Sequence, residues 1–257
     1  NCLEKMYGQR PVIYCSNGFE TMMWDDASYP QRTVFGIYTE DQLQTIINRR
    51  TSRQRLQDQT VNESIADRYY QKEAIAAVNE VFENQQRSAL LAMATGTGKT
   101  RTAAALIELL SKAGWVKRVL FLADRVALVH QAKTNLNTYL PQLPAVDLTK
   151  EKEVESSRIV FSTYQTLNNL IDGEYDGQSR HFGVGYFDLI IFDEIHRSVY
   201  NKYRHIFNYF DGLKVGLTAT PRDQGDKDTY GLFHLQPNNP TFAYELDQAV
   251  KDRYLVP

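Results

Sequence analysis

From Ile65 onward, short apolar runs alternate with longer segments in which apolar residues recur every three or four positions. The runs Ala89–Met93, Arg118–Leu122, Arg158–Phe161, Phe187–Phe192 and Lys214–Leu217 are too short for helices and predict strands. Between them, the periodicity predicts helices over Tyr69–Asn84, Thr100–Lys112, Val126–Tyr139, Gln165–Ile171 and Tyr200–Tyr209. Strands separated by helices require crossover connections. The expected fold class is therefore α/β, a parallel sheet with helices on both faces.

The first fifty residues follow another rhythm. Pro11–Cys15 predicts a strand, Asn17-Gly18 a hairpin turn, and Phe19–Trp24 the returning strand, broken by Asp25-Asp26. Val34–Tyr38 predicts a further strand, and Asp41–Arg50 a helix with Leu43, Ile46 and Ile47 on one face. So short a segment buries little core alone, so residues 1–50 are expected to be the closing part of a larger domain. Residues 51–62 are polar and read as a linker, leaving 63–257 as the α/β domain.

Composition narrows the class without naming it. The 257 residues are 42% hydrophobic with a net charge of −2. No apolar run approaches the roughly 20 residues of a membrane span, and no signal-peptide pattern opens the chain. Cys2 and Cys15, the only cysteines, lack metal-ligand spacing and fit a reducing cytoplasm. The one dense basic run, Arg49, Arg50, Arg53 and Arg55, reads as a solvated helix end or linker rather than a DNA contact.

The chemistry concentrates in Met93-Ala94-Thr95-Gly96-Thr97-Gly98-Lys99-Thr100. Strand, glycine-rich turn, Lys-Thr and helix form the layout of a phosphate-binding loop. Thr95, Gly96, Thr97 and Gly98 would offer backbone N–H groups to phosphate oxygens at a helix N-terminus. Lys99 would reach the β- and γ-phosphates of ATP, and the Thr100 hydroxyl suits Mg²⁺. The alternative, an ordinary loop before a helix, leaves the Lys-Thr placement unexplained. Downstream, the apolar run Leu189–Phe192 ends in Asp193-Glu194-Ile195-His196. Acids at the carboxyl end of a parallel strand sit where such folds bind ligands. Asp193 would hold Mg²⁺ while Glu194 activates water, with Lys99 completing the catalytic set. Standing alone, an Asp-Glu pair could simply cap a helix. Thr218 and Thr220 end another apolar run before Pro221, and Gln71 opens a helix with an amide able to pair with adenine.

Taken in order, these strings resemble superfamily 2 helicases and translocases, whose first motif carries an alanine-threonine-glycine loop of this kind. Phe121–Leu128 and Val160–Thr166 are similar to intermediate motifs of that superfamily. Asp193–Ser198, Tyr200–Arg204, Gly216–Pro221, Phe242–Tyr244 and Ala249–Pro257 more closely resemble the motor (R) subunit of type I restriction enzymes. Arg253 stands where that family's pattern has glycine. The resemblance implies a RecA-like first motor domain that uses ATP and Mg²⁺ to move duplex DNA before endonuclease cleavage. It implies that His196, Thr218 and Thr220 couple nucleotide state to a nucleic-acid track formed by Asp124, Arg125, Thr163, Tyr164 and Gln165. It further implies methylation and specificity subunits as partners, no membrane, and the cytoplasm of a bacterium or archaeon.

The resemblance extends to the front through Cys2-Leu3-Glu4, Gly8–Ile13, Asn17-Gly18 and Trp24-Asp25-Asp26. Residues 1–50 then correspond to the end of a nuclease domain whose catalytic acids and lysine lie earlier, and Asp25 and Asp26 read as surface carboxylates rather than metal ligands. A type III-like restriction subunit, another helicase, a nucleotide-gated DNA-binding module and an unrelated phosphate-loop kinase are the competing readings. The kinase leaves Thr218–Pro221 unexplained.

Overall fold

A computed structural model of the chain describes residues 2–25, 27–151, 154–172, 182–195, 197–219 and 227–256, with backbone alone at 172, 197–202 and 227–228. Asp26, His196 and Thr220 lie outside the described residues.

After a short helix α1 (Cys2–Tyr7), strands β1 (Ile13–Ser16), β2 (Thr21–Asp25) and β3 (Tyr29–Val34) form an antiparallel sheet in sequential order. The hairpin falls where Asn17-Gly18 predicts it. The Asn17 side chain accepts from the N–H groups of Phe19 and Glu20, and Gly18 takes φ +90°. The third strand, expected over Val34–Tyr38, instead spans Tyr29–Val34. Its mixed sequence, Tyr-Pro-Gln-Arg-Thr-Val, pairs with β2 and supplies the inward Tyr29 and Val34, which a hydrophobic-run criterion overlooks. Helix α2 (Glu40–Ser52) begins at a capping box in which Thr39 and Gln42 satisfy each other's backbone N–H.

The large sheet has seven strands: β4 (Ser88–Met93), β5 (Val119–Ala123), β6 (Ala145–Asp147), β7 (Ile159–Thr163), β8 (Leu189–Asp193), β9 (Leu213–Thr218) and β10 (Phe242–Tyr244). Their order is β10-β4-β9-β8-β5-β7-β6, and every pairing is parallel. The crossovers include α3 (Tyr69–Glu83), α4 (Lys99–Lys112), α5 (Val126–Tyr139), α6 (Tyr164–Asp172) and α7 (Arg197–Tyr209), with short α8 (Lys227–Leu232) and α9 (Leu246–Lys251) beyond. Strand alternation divides the interior into two cores. Leu91, Phe121, Phe161 and Ile191 join the α3–α5 side, while Leu90, Leu120, Val160 and Phe192 face Leu167, Ile206 and Phe207.

The N-terminal segment is packed into both cores: Met23, Val34 and Tyr38 join one, Tyr29 the other. The stretch expected as a linker is docked as well. Leu56 is fully buried in a single 3₁₀ turn, and the Gln54 carbonyl accepts from the Trp115 indole at 2.8 Å. Asp25 corrects its surface reading. It is 1% exposed and ion-paired with Arg50 at 2.6 Å. Three of the four residues of the basic run are likewise engaged, Arg49 with Asp188 at 2.6 Å, Arg50 with Asp25 and Arg53 over the Trp115 ring at 4.6 Å, while Arg55 is exposed. Both free cysteines are exposed. Among the described residues no helix is long and apolar enough to cross a membrane.

Candidate functional site

The site grows from the carboxyl ends of β4, β9 and β8. All six residues of β4 are buried, so the strand, flanked by β10 and β9, holds its end firmly. Gly96 and Gly98 then take φ +85° and +91°, which turn the backbone sharply into α4. At Gly98 a side chain is excluded twice, because a Cβ would also lie 2.6 Å from the Gln71 amide nitrogen. Thr97 is fully buried and bonds the Ala94 carbonyl at 2.6 Å, while Thr95 and Gly96 stay exposed at the mouth.

Helix α3 braces this loop from behind. The Tyr70 hydroxyl and the Gln71 amide donate to the Thr97 carbonyl at 2.8 and 3.2 Å. Arg68 donates to Tyr70 at 2.7 Å, and Tyr244 of β10 stacks on the Tyr70 ring at 3.8 Å. Gln71 therefore commits an amide N–H to the loop, and its buried oxygen has no hydrogen-bond partner among the described residues. Tyr70, Arg68 and Tyr244 escaped the sequence reading. Their available signal was weak: Tyr70 sits four residues before Ala74 on the buried face of α3.

Lys99 opens α4, and its ammonium bonds the Met93 carbonyl at 3.3 Å and meets the Glu194 carboxylate at 3.2 Å. Strand β9 separates β4 from β8, with Ala92 opposite Thr218 and Leu217 opposite Asp193, so the three strand ends lie abreast. Glu194 adopts φ +50°, an uncommon conformation for a residue with a side chain. Burial and then the Glu194 carboxylate push the Asp193 carboxyl up to about 6, against the Lys99 ammonium and the Glu194 backbone N–H. Two adjacent carboxylates facing one ammonium are short of positive charge. That deficit, with the half-buried Thr100 beside it, fits a hard divalent cation. Lys99, Thr100, Asp193, Glu194 and Thr218 are thus brought to one edge.

The expected nucleic-acid residues divide. Asp124 and Arg125 are exposed at the end of β5, and Gln165 is exposed at the start of α6, where its oxygen accepts from Tyr203 at 2.9 Å. Thr163 and Tyr164 correct the expectation, being 5% and 1% exposed. Thr163 caps α6 through Thr166, and Tyr164 donates to the Asp193 carbonyl at 3.3 Å while stacking on Tyr203. Their side chains serve the fold behind the acid pair rather than a strand of DNA.

Comparison with known proteins extends the geometry. Residues 64–223 match the family described as the res subunit of type III restriction enzymes. The endonuclease subunit of the type I restriction enzyme EcoAI from Escherichia coli is 35% identical over 196 residues, covering 74% of this chain and 23% of that protein. The EcoKI endonuclease subunit of strain K12 is 33% identical over 217 residues, covering 74% of the chain and 17% of the relative. The chain thus spans about a fifth of the length of these curated relatives. A fragment of a type I restriction-enzyme HsdR subunit from Vibrio vulnificus YJ016 superposes with a TM-score of 0.57 at 27% identity, covering 98% of this chain and 44% of that one. The Hef helicase domain of Pyrococcus furiosus shares the fold, with a TM-score of 0.52 at 23% identity over 73% of this chain and 40% of that one. The family model covers the restriction-subunit core, and the relatives together with a superposition that includes the N-terminal segment fix the type: this chain belongs to the endonuclease subunits of type I restriction enzymes and carries their RecA-like motor fold.

Proposed function

We propose that this chain is the ATP-hydrolysing first motor domain of a type I restriction subunit, coupling ATP turnover to movement along duplex DNA before cleavage. The observation that supports this most is the Lys99–Glu194 contact of 3.2 Å, which joins the phosphate-loop lysine to the acid pair. ATP would enter at the exposed Thr95-Gly96 mouth, its phosphates meeting the loop N–H groups and the α4 N-terminus. Lys99 then exchanges Glu194 for phosphate oxygens. Glu194, released, orients the attacking water and accepts its proton. The unpartnered Gln71 oxygen is the group left for adenine's amino donor. Thr100 and Asp193 would hold Mg²⁺, which when bound offsets the charge of the transferring phosphoryl group.

Thr218 lies between the two halves of the site and is the residue through which β9 would sense the nucleotide, together with His196 and Thr220. Asp124, Arg125 and Gln165 line the same edge and would face the DNA backbone. Residues 1–50 act as the closing part of the nuclease domain, and 63–257 as the motor, in a cytoplasmic complex with methylation and specificity subunits.

The test uses the full-length subunit in its complex. Its ATPase is expected to rise with duplex DNA and not with single strands or RNA. Glu194→Gln should retain ATP and fail to hydrolyse it; normal turnover in that variant would sink the base assignment. The 257-residue chain alone should bind ATP weakly and turn it over hardly at all, because phosphoryl transfer in such motors draws an arginine from a second domain.

A further inference from the structure

The opposite, amino edge of the large sheet holds a cavity of about 610 Å³, walled on one side by β3 and α2 and on the other by the residues that precede β4, β5, β8 and β9. Its lining is unusual in charge. Three guanidinium groups surround the Tyr29 ring, with Arg87 at 4.4 Å and Arg32 and Arg53 each at 5.6 Å. A fourth, Arg118, lies 4.5 Å over Tyr186. Asp211 serves both Arg32 and Arg87, and Asp188 serves Arg49. Asp25 is taken by Arg50 from outside the cavity, and Asp41 sits exposed at the start of α2. Arg53, Lys117 and Arg118 have no carboxylate partner among the described residues.

Hydrogen bonding tells the same story independently. Arg32 Nη1 and Arg53 Nε are buried with no hydrogen-bond partner among the described residues, the Tyr29 hydroxyl has only the Arg53 guanidinium beside it, and all three belong to residues lining this cavity. Each can donate. Buried donors left unmade are costly, so several converging on one space call for an occupant rich in acceptors. Beside the cavity, burial and then Arg87 push the Lys214 ammonium down to about 8, against Asp211.

We propose that this cavity binds a phosphate group, carried either by a DNA backbone or by a free phosphate. A guanidinium fork fits carboxylate and phosphate alike, but several converging forks can be served together by the three or four oxygens of a tetrahedral oxyanion and not by the two of a carboxylate. The space leaves room for whatever the phosphate is attached to. The site is separate from the ATP loop, which lies at the other ends of the same strands.

Trp115, against Arg53, is a built-in reporter. The chain has two tryptophans, so Trp24→Phe leaves it alone, and Lys99→Ala weakens the phosphate loop as a competitor. In that double variant, inorganic phosphate at constant ionic strength should change Trp115 emission saturably. Arg53→Gln should weaken the response about tenfold. Tyr29→Phe, which removes only the hydroxyl and keeps the ring, should weaken it about threefold and stands as the test if Arg53→Gln fails to fold. Displacement of phosphate by short duplex DNA assigns the site to phosphodiesters; phosphate binding that DNA leaves untouched assigns it to free phosphate. A response that does not saturate, or one that Tyr29→Phe and a folded Arg53→Gln both leave unchanged, means water fills the cavity and overturns the proposal.

Discussion

The two edges of the seven-stranded sheet are built on opposite principles. At the amino edge, the buried carboxylates are locked: Arg32 and Arg87 converge on Asp211, and Tyr38 adds a hydroxyl to that carboxylate at 2.7 Å. Arg49 closes on Asp188, whose other oxygen accepts the backbone N–H groups of Lys117 and Arg118 at 2.8 Å each. At the carboxyl edge, charges are exposed or imbalanced, and the backbone is turned into left-handed conformations at Gly96, Gly98 and Glu194. The amino edge spends the carboxylates of Asp188 and Asp211 on holding the N-terminal segment to the sheet, while Arg53, Lys117 and Arg118 keep no carboxylate partner among the described residues. The carboxyl edge keeps its acids available to a ligand, at a local conformational cost.

If that division is right, stability and activity should separate cleanly by edge. Asp211→Ala tests the stability side hardest. It strands two guanidiniums in a site where Asp211 is only 9% exposed, and removing one partner of a buried pair costs about 3–5 kcal/mol. Chemical denaturation of the variant should show that loss. A change under about 1 kcal/mol would mean the brace is not structural. Lys99→Ala is the mirror experiment. Losing a cation aimed at transition-state charge should lower ATP turnover of the full-length subunit by roughly 10²–10³-fold. The melting temperature should barely move, because the Glu194 side of the Lys99–Glu194 pair is 41% exposed and solvent-screened pairs contribute little.

Acid should find the amino edge too. Burial works to raise the Asp211 carboxyl, but Arg87 and Arg32 outweigh it and hold the group at about 2, below the ordinary 3.8. As pH falls, the unfolded chain therefore takes up the proton first. The stabilisation is fully present above about pH 4 and is lost as pH drops toward 2, amounting to about 2 kcal/mol. Denaturation followed across that window should show the step, and Asp211→Asn should remove it.

How far the sequence carried the reading follows the same division. The carboxyl edge was legible because its chemistry is local: a loop of adjacent residues, then two neighbouring acids at a strand end. Even there, nothing in the string distinguishes exposed Asp124 from buried Tyr164, since burial depends on what packs behind β8. Strands β4, β5, β7, β8 and β9 appeared as apolar runs, whereas the three-residue edge strands β6 and β10 are too short to leave a pattern. The amino edge was invisible. Arg49, Arg50 and Arg53 look like a solvated basic run because their partners, Asp188, Asp25 and the rings of Tyr29 and Trp115, are brought to them only by tertiary folding.

The smallest effect sharpens the comparison most, because it separates strain that serves the site from strain that does not. Arg253, where the resemblance leads one to expect glycine, has a φ of +64°. It follows α9 in a Schellman arrangement: its N–H donates to Val250 at 3.0 Å and that of Tyr254 to Ala249 at 2.9 Å, so the left-handed conformation is imposed by the helix end. Glu194 shares the left-handed conformation at φ +50° but stands opposite Lys99. Glycine at either position relieves the backbone and should stabilise the chain by about 0.5–1 kcal/mol, offset at Glu194 by the lost contact with Lys99. Activity should divide the two. Arg253→Gly in the full-length subunit should keep ATP turnover unchanged, while Glu194→Gly should abolish it. Equal loss of turnover in both would place Arg253 inside the working site and erase the distinction between borrowed and functional strain at this edge.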